Sequence, residues 1–309
     1  METAERSSLP AEGYAVLGSI VVGTDGSAGS VAALTWALGE AGRRGCAVDA
    51  VLVWSDPYGL TGPPTPVALA GSTAKHLRSV MDKSVAAAER ECVGAPVTVR
   101  HHLRSGNPAE VLATAAKEAT LLVVGSRGYG AFRGSLLGSV SQRSAQRTTT
   151  PIVIVHGAEE IGSAGAERPR RIVVGVDGSE NSLIALRWAM AEAALWHAPL
   201  DVVGAWGSAN YGLGGGAKEE QLRTQTEAIL EDALADAGRE GAPISLAVEH
   251  GPAAGVLVGA SRGADLLVVG SRGRGALAGF VLGSVSQQCA AHASCPVGVV
   301  PDSGNPSVA

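Results

Sequence analysis

Two blocks of this sequence occur twice in the same order, and this duplication constrains the fold more than any other feature. Residues 20–41 match residues 172–193 at 14 of 22 positions, and residues 125–142 match residues 270–287 at 13 of 18 positions. The blocks are long and lie far apart, so they indicate a duplicated domain rather than a short solenoid repeat. The 309 residues also suit two domains of about 150 residues each.

The offset between the copies indicates where the two halves differ in length. It is 152 residues for the first block and for Trp54 against Trp206, but 145 residues for the second block. The seven extra residues of the first half therefore fall between Trp54 and Gly106, where the segment 55–71 is rich in proline. We expect a first domain over residues 14–156, a linker over 157–168 and a second domain over 169–301.

Each half alternates between short apolar runs and segments with helical spacing. In the first half this pattern predicts strands at residues 19–24, 121–124 and 152–155, and helices at residues 30–42 and 139–147. The run 121–124 is apolar at every position, which is typical of parallel strands covered by helices on both faces. The sequence therefore predicts an α/β protein of two tandem doubly wound domains, with the loops after the strands at one edge of each sheet.

The second duplicated block contains a glycine loop of a size suited to phosphate. It runs Gly125-Ser126-Arg127-Gly128 and then Gly138-Ser139 in the first half, and Gly270-Ser271-Arg272-Gly273 and then Gly283-Ser284 in the second. Glycine-rich backbone that leads into a helix N-terminus binds anions. Segments 139–142 and 284–287 also match the S-x-x-Q capping box, and Gly138 is expected to need an unusual dihedral angle. Arg127 and Arg272 are either phosphate partners or solvated surface residues.

A carboxylate follows the first predicted strand of each half. The motif is Gly23-Thr24-Asp25-Gly26-Ser27 in the first half and Gly175-Val176-Asp177-Gly178-Ser179 in the second. Open α/β sheets bind ligands at the carboxyl ends of their strands, so Asp25 and Asp177 can accept ribose hydroxyls or hold Mg²⁺. The alternative is that each aspartate forms a turn or caps the next helix. With a glycine loop expected opposite each carboxylate, we favour the ligand role.

Composition argues against several classes of function. The net charge is −5 and no stretch is dense in lysine or arginine, which argues against a nucleic-acid partner. No apolar run approaches the roughly 18 residues of a membrane span, and residues 1–13 lack the features of a signal peptide. The four cysteines show no C-x-x-C spacing, which predicts free thiols in the cytoplasm. No Ser-His-Asp set, H-E-x-x-H or P-loop is present, and no histidine has ligand spacing, so we expect no catalytic centre and no metal bound by protein ligands alone.

The motifs G-x-D-G-S and G-x2-G-x9-G-[ST] together resemble those of the ATP-binding universal stress proteins, and the resemblance covers nearly the whole chain as two tandem copies. It implies a five-stranded parallel sheet of order 3-2-1-4-5 in each half. It also implies ATP, with Mg²⁺, at two sites. The first would comprise Gly23, Thr24, Asp25, Val53, Gly106, Gly125, Arg127, Gly128, Gly138, Ser139 and Val140. The second would comprise Gly175, Val176, Asp177, Ala205, Gly251, Gly270, Arg272, Gly273, Gly283, Ser284 and Val285.

The resemblance also assigns roles and contacts. In the first site, the residues up to Gly106 would lie near adenine and ribose, and those from Gly125 onward near the phosphates. The residues of the second site would have the same roles as the first-site residues to which they correspond in the repeat. Universal stress proteins often dimerise through the fifth strand. This implies pairing between the halves or between two chains through Ile152, Val153, Ile154, Val155 and Val297, Val299, Val300.

The function implied is that of a cytoplasmic, ATP-binding stress-response protein, a nucleotide-dependent sensor or regulatory module with protein partners. One alternative is a slow ATP hydrolase, although no candidate base is evident beyond Asp25 and Asp177. Another is an interaction module that binds no nucleotide, against which the intact glycine spacing in both halves argues. The halves differ at Tyr129 against Arg274 and at Arg133 against Ala278, so we expect the two sites to differ in affinity.

Overall fold

The computed structural model describes residues 18–54, 71–92, 94, 96–128, 137–157, 170–207, 216–238, 242–273 and 282–302. Its first half contains β1 (Ile20–Thr24), α1 (Ala28–Arg44), β2 (Val48–Trp54), α2 (Gly71–Glu91), β3 (Val99–Ser105), α3 (Pro108–Ala115), β4 (Leu121–Gly125), α4 (Ser139–Arg147) and β5 (Ile152–Val155). Its second half contains β6 (Ile172–Gly175), α5 (Glu180–Trp196), β7 (Leu200–Trp206), α6 (Gly216–Ala237), β8 (Ile244–His250), α7 (Ala253–Ala260), β9 (Leu266–Gly270), α8 (Ser284–His292) and β10 (Val297–Val300).

Helix α1 is longer than its apolar spacing predicts because both of its ends are closed by caps. The Ser27 hydroxyl accepts a hydrogen bond from the backbone N–H of Ser30 and so starts the helix at Ala28 rather than at residue 30. Gly45 ends it in the left-handed conformation, with φ of 64°. The predicted bounds of α4 and β5, by contrast, agree with the structure.

The strands are apolar at every position because helices cover both faces of the sheet. Along β4, Leu121 and Val123 pack into the layer that contains α1 and α2, whereas Leu122 and Val124 pack into the layer of α3 and α4. All four side chains are buried. This three-layer arrangement confirms the predicted α/β class.

One continuous sheet of ten strands runs through both halves, in the order β3-β2-β1-β4-β5-β10-β9-β6-β7-β8. Within each half all the pairs are parallel and the strand order is the predicted 3-2-1-4-5. At the centre, β5 and β10 pair in antiparallel fashion, with Val153 in register with Gly298. The fifth strands of the two halves therefore pair with each other inside one chain, and the strands of the two halves run in opposite directions.

Helices α1 and α5 meet on one side of this central pair, around two equivalent carboxyl groups. Glu40 is fully buried and accepts hydrogen bonds from Arg44 Nε at 2.7 Å, Arg43 Nη1 at 3.1 Å and Trp196 Nε1 at 2.9 Å. Arg44 also pairs with Glu192. Burial raises the pKa of Glu192 to about 8. The charge of Arg44 opposes this rise, and the neighbouring Glu40 adds to it.

Within the part of the chain that the structure describes, no helix has both the length and the apolar character needed to cross a bilayer.

Candidate functional site

The aspartate after the first strand of each half holds a tight turn. Asp25 Oδ1 accepts hydrogen bonds from the backbone N of Ser27 at 2.9 Å and from its hydroxyl at 2.6 Å. Asp177 Oδ1 accepts the same two bonds from Ser179, at 2.9 and 2.6 Å. The helix caps are therefore Ser27 and Ser179, and each aspartate orients its cap. The second carboxylate oxygen of each aspartate points toward the glycine loop.

The glycine loop lies directly against this aspartate. A Cβ atom added at Gly128 would overlap Asp25 Oδ2, and one at Gly273 would lie 2.8 Å from Asp177 Oδ2. A Cβ at Gly125 would likewise lie 2.6 Å from the carbonyl oxygen of Gly29, in the first turn of α1. Real Cβ atoms do not come this close to other heavy atoms. These positions therefore need glycine because other atoms of the protein lie next to them. The strand-one carboxylate and the glycine loop thus form one structure in each half.

Helix α4 begins differently from the predicted capping box. Its N-cap is Gly138 and its first residue is Ser139, so no side chain caps the helix, and the same is true of Gly283 and Ser284 at α8. The predicted unusual dihedral at Gly138 is also wrong, since φ is −70°. Glycine suits position 138 for a different reason, because the Cβ of any other residue would lie only 3.0 Å from the carbonyl oxygen of Ser126. The first helical N–H groups are consequently left uncapped by side chains.

Serines inside the helices fix this uncapped end to the sheet. The hydroxyl of Ser141 donates to the carbonyl oxygen of Gly125 at 2.6 Å, and that of Ser286 donates to Gly270 at 2.6 Å. Both serines are buried. The helix start is therefore held next to the carboxyl end of the fourth strand, in a fixed orientation.

In the second half these parts enclose a cavity of about 440 Å³. Ten of the residues predicted from the sequence line it: Gly175, Val176, Asp177, Ala205, Gly270, Arg272, Gly273, Gly283, Ser284 and Val285. Gly251 is not among the lining residues; it lies just past β8, with φ of 139°. The volume lies in the usual range for small-molecule pockets, roughly 300 to 1,000 Å³.

Six further residues line this cavity and were missed from the sequence: Ser182, Val203, Ala253, Leu257, Val269 and Ser286. Ala253 and Leu257 lie four positions apart on α7, which brings both side chains to one face of that helix. Their spacing is visible in the sequence, but it equally fits packing against the sheet. Only the tertiary fold shows that this face also borders a cavity.

The predicted residues of the first half occupy equivalent places in the fold. Gly23 and Thr24 end β1 and Asp25 follows it, Val53 lies near the end of β2, and Gly106 follows β3 with its N–H bonded to the carbonyl of Trp54. The others belong to the glycine loop and the start of α4: Gly125, Arg127, Gly128, Gly138, Ser139 and Val140. All lie at the carboxyl ends of strands or at a helix N-terminus, as predicted. Tyr129, Arg133, Arg274 and Ala278 lie outside the described residues.

The two loops are held by different groups. In the second half, the side-chain oxygen of Asn181 accepts a hydrogen bond from the backbone N of Arg272 at 2.8 Å, and its amide nitrogen donates to the carbonyl of Val300 at 3.1 Å. The equivalent of Asn181 in the first half is Gly29, which has no side chain. The Arg272 guanidinium pairs with Asp302, just beyond β10. Among the described residues, no cluster of three or more His, Cys, Asp or Glu side chains is arranged to hold a metal ion.

The same division into two units appears in comparison with known proteins. A model of the universal stress protein family matches residues 17–156 and again residues 169–301. The chain belongs to the universal stress protein family. The two matches cover both glycine loops and both strand-one aspartates.

Universal stress proteins of similar length are known from mycobacteria. The chain is 32% identical over 291 residues to one from Mycolicibacterium smegmatis, covering 91% of this chain and 96% of the relative. It is 32% identical over 289 residues to one from Mycobacterium tuberculosis, covering 92% and 96%. A crystal structure of a universal stress protein from Archaeoglobus fulgidus superposes with a TM-score of 0.61 at 20% identity, covering 92% of this chain and 98% of that one, and supports the fold alone.

Proposed function

We propose that this protein binds ATP, together with Mg²⁺, at the carboxyl edge of the strands in each half, and acts as a nucleotide-dependent sensor or regulatory module in the stress response. The observation that carries this proposal is the second-half cavity, in which a glycine loop, an uncapped helix start and a strand-one carboxylate meet. We take residues 157–168 as the linker between the two nucleotide-binding domains. The four free cysteines fit a reducing compartment such as the cytoplasm.

The residues present fit a nucleotide in both charge and shape. The uncapped N–H groups of α8 and the backbone around Gly270 and Gly273 suit phosphate oxygens. Asp177, at the other side of the loop, suits ribose hydroxyls or a phosphate-bound Mg²⁺. Val203, Ala205 and Leu257 provide apolar surface suited to a base. When bound, ATP supplies binding free energy that shifts the protein between conformations or partners.

A charge placed at the helix start tests the phosphate assignment without harming the fold. Ser139 and Ser284 are exposed first residues of α4 and α8. An aspartate in the first turn stabilises a helix by about 0.3 to 1 kcal/mol, but it would repel a phosphate at the same place. We expect Ser139→Asp or Ser284→Asp to weaken ATP at the substituted site by at least about tenfold.

Isothermal titration with ATP and Mg²⁺ measures this effect, and Ser139→Asn and Ser284→Asn are matched neutral controls. The parent and both asparagine variants should bind close to two ATP per chain, and each aspartate variant close to one. Unchanged affinity at both sites in the aspartate variants would contradict the phosphate assignment. A parent protein that binds no ATP would support the interaction-module alternative, and phosphate release during the titration would support the slow hydrolase.

A further inference from the structure

One ion pair lies beside the second-half cavity. Arg272 lies in the glycine loop and lines the cavity, and its guanidinium pairs with the carboxylate of Asp302. Asp302 lies two residues past the end of β10, with Pro301 between. Both side chains remain partly exposed, at 29% for Arg272 and 40% for Asp302. The pair therefore lies at the mouth of the cavity rather than in the core.

The repeat aligns this carboxylate with a glycine of the first half. The offset of 145 residues that aligns the two loops also aligns Arg127 with Arg272 and Gly157 with Asp302. The chain therefore places a glycine after the fifth strand of the first half and an aspartate after that of the second. Among the described residues, nothing lies within 4 Å of a Cβ built at Gly157, so they leave room for a side chain there.

The pair sets the charge that a ligand meets at the phosphate end of the second cavity. An arginine guanidinium binds phosphate by the same paired donors with which it binds a carboxylate. A phosphate that approaches Arg272 must share or displace Asp302, and it meets the negative charge of that carboxylate. The backbone N–H of Arg272 is also committed to Asn181 and gives the phosphate no compensating bond.

We propose that Asp302 is a specificity-determining residue that competes with ligand phosphate for Arg272, so that the second site discriminates against highly charged nucleotides. This inference rests on the proposed function, because it assumes that the cavity takes a nucleoside whose phosphates face the glycine loop. An uncharged nucleoside does not engage Arg272 and is unaffected by Asp302.

The isosteric variant Asp302→Asn removes the charge while keeping the shape. Partly exposed ion pairs contribute up to about fivefold in an equilibrium, so we expect Asp302→Asn to raise second-site ATP affinity by about fivefold. Adenosine affinity should not change. The gain should shrink in high salt, because both charges are partly exposed. Titrations with ATP and with adenosine are made in the Ser139→Asp background, in which only the second site is expected to bind ATP. Adenosine affinity is compared between the Ser139→Asp protein with and without Asp302→Asn.

The reciprocal variant Gly157→Asp, in the Ser284→Asp background, is the matched control. It should weaken ATP at the first site and leave adenosine unchanged. Equal effects of Asp302→Asn on ATP and adenosine, or no effect on either, would overturn the inference while leaving the proposed function intact. A loss of ATP affinity that appears only with Mg²⁺ would also overturn it, since the carboxylate would then serve the metal. Failure of the parent to bind either compound would instead contradict the proposed function itself.

Discussion

Asp49 and Asp201 occupy the same position of the repeat, on β2 and β7, but they lie in different environments. Asp49 is fully buried, and its two oxygens accept bonds from Arg100 at 2.8 Å each, with His102 Nε2 at 2.7 Å from Oδ1. Asp201 pairs with Arg171 at 2.7 Å, with side-chain exposures of 24% and 33%. The carboxylate is thus buried in one half and partly exposed in the other, whereas both arginines remain about one third exposed.

We expect Asp49→Asn to cost about 2 to 3 kcal/mol in the free energy of unfolding, because the buried carboxylate loses its charge-assisted hydrogen bonds with Arg100 and His102. Asp201→Asn should cost about 1 kcal/mol or less, because water screens that pair. Urea denaturation of the two variants at neutral pH measures the difference. Similar losses in both would show that burial does not separate the pairs.

The Asp49 pair also makes stability depend on acid. Burial by itself would raise the pKa of Asp49, but hydrogen bonds from His102 and Arg100 outweigh it and lower that pKa. A lowered folded-state pKa gives stabilisation that is complete above the unfolded value, near 4, and is lost as the pH falls through the folded value. The contribution of Asp49 should therefore persist down to about pH 4 and fade below it.

Among the elements, α1 and α5 are joined by Glu40 and Glu192, and this contact responds to pH in the opposite sense. With a pKa of about 8, Glu192 holds a proton in the folded protein over a range in which the unfolded chain, with an ordinary value of 4.5, does not. The folded state binds more protons there, so stability falls as the pH rises from about 4.5 to about 8 and levels off above it.

The isosteric variant Glu192→Gln should flatten this part of the stability curve, whose slope is at most about 1.4 kcal/mol per pH unit. Above pH 8 the variant should be more stable than the parent. Chemical denaturation across pH 4 to pH 9 measures both effects, and Glu227→Gln, in an exposed ion pair with Arg223, is the control. A parent curve that rises over this window would contradict the assignment.

The elements also show which parts of the site the sequence can predict. The strand-one aspartates, the glycine loops and the starts of α4 and α8 were found because each is a short motif whose backbone geometry follows from its residues. The capping box failed because the N–H of Gly138 bonds to the carbonyl of Ser126, which makes the glycine the cap and Ser139 the first helical residue. The part of the cavity wall that α7 forms was missed, because the spacing of Ala253 and Leu257 is that of any helix packed on a sheet.

At the scale of the whole molecule, the β5–β10 pair makes the two halves parts of one sheet. All four residues of each strand are buried, and each strand also pairs with a parallel neighbour on its other side. We expect the amides of 152–155 and 297–300 to exchange with solvent as slowly as those of β1 and β4. Hydrogen exchange read by mass spectrometry tests this. Rapid exchange at the central pair, with β1 still protected, would show two halves that fold and open separately.

The antiparallel direction of that central pair makes the molecule two-ended. The carboxyl ends of the strands in one half lie at the edge of the sheet opposite to those of the other half, so ligands at the two glycine loops would face away from each other. Neither ligand can touch the other, and a strand of four or five residues spans only roughly 15 Å between the edges. Between the two loops lie the shared sheet and the contact of α1 with α5. The two glycine loops thus open onto opposite sides of one molecule, and each can be reached without passing the other.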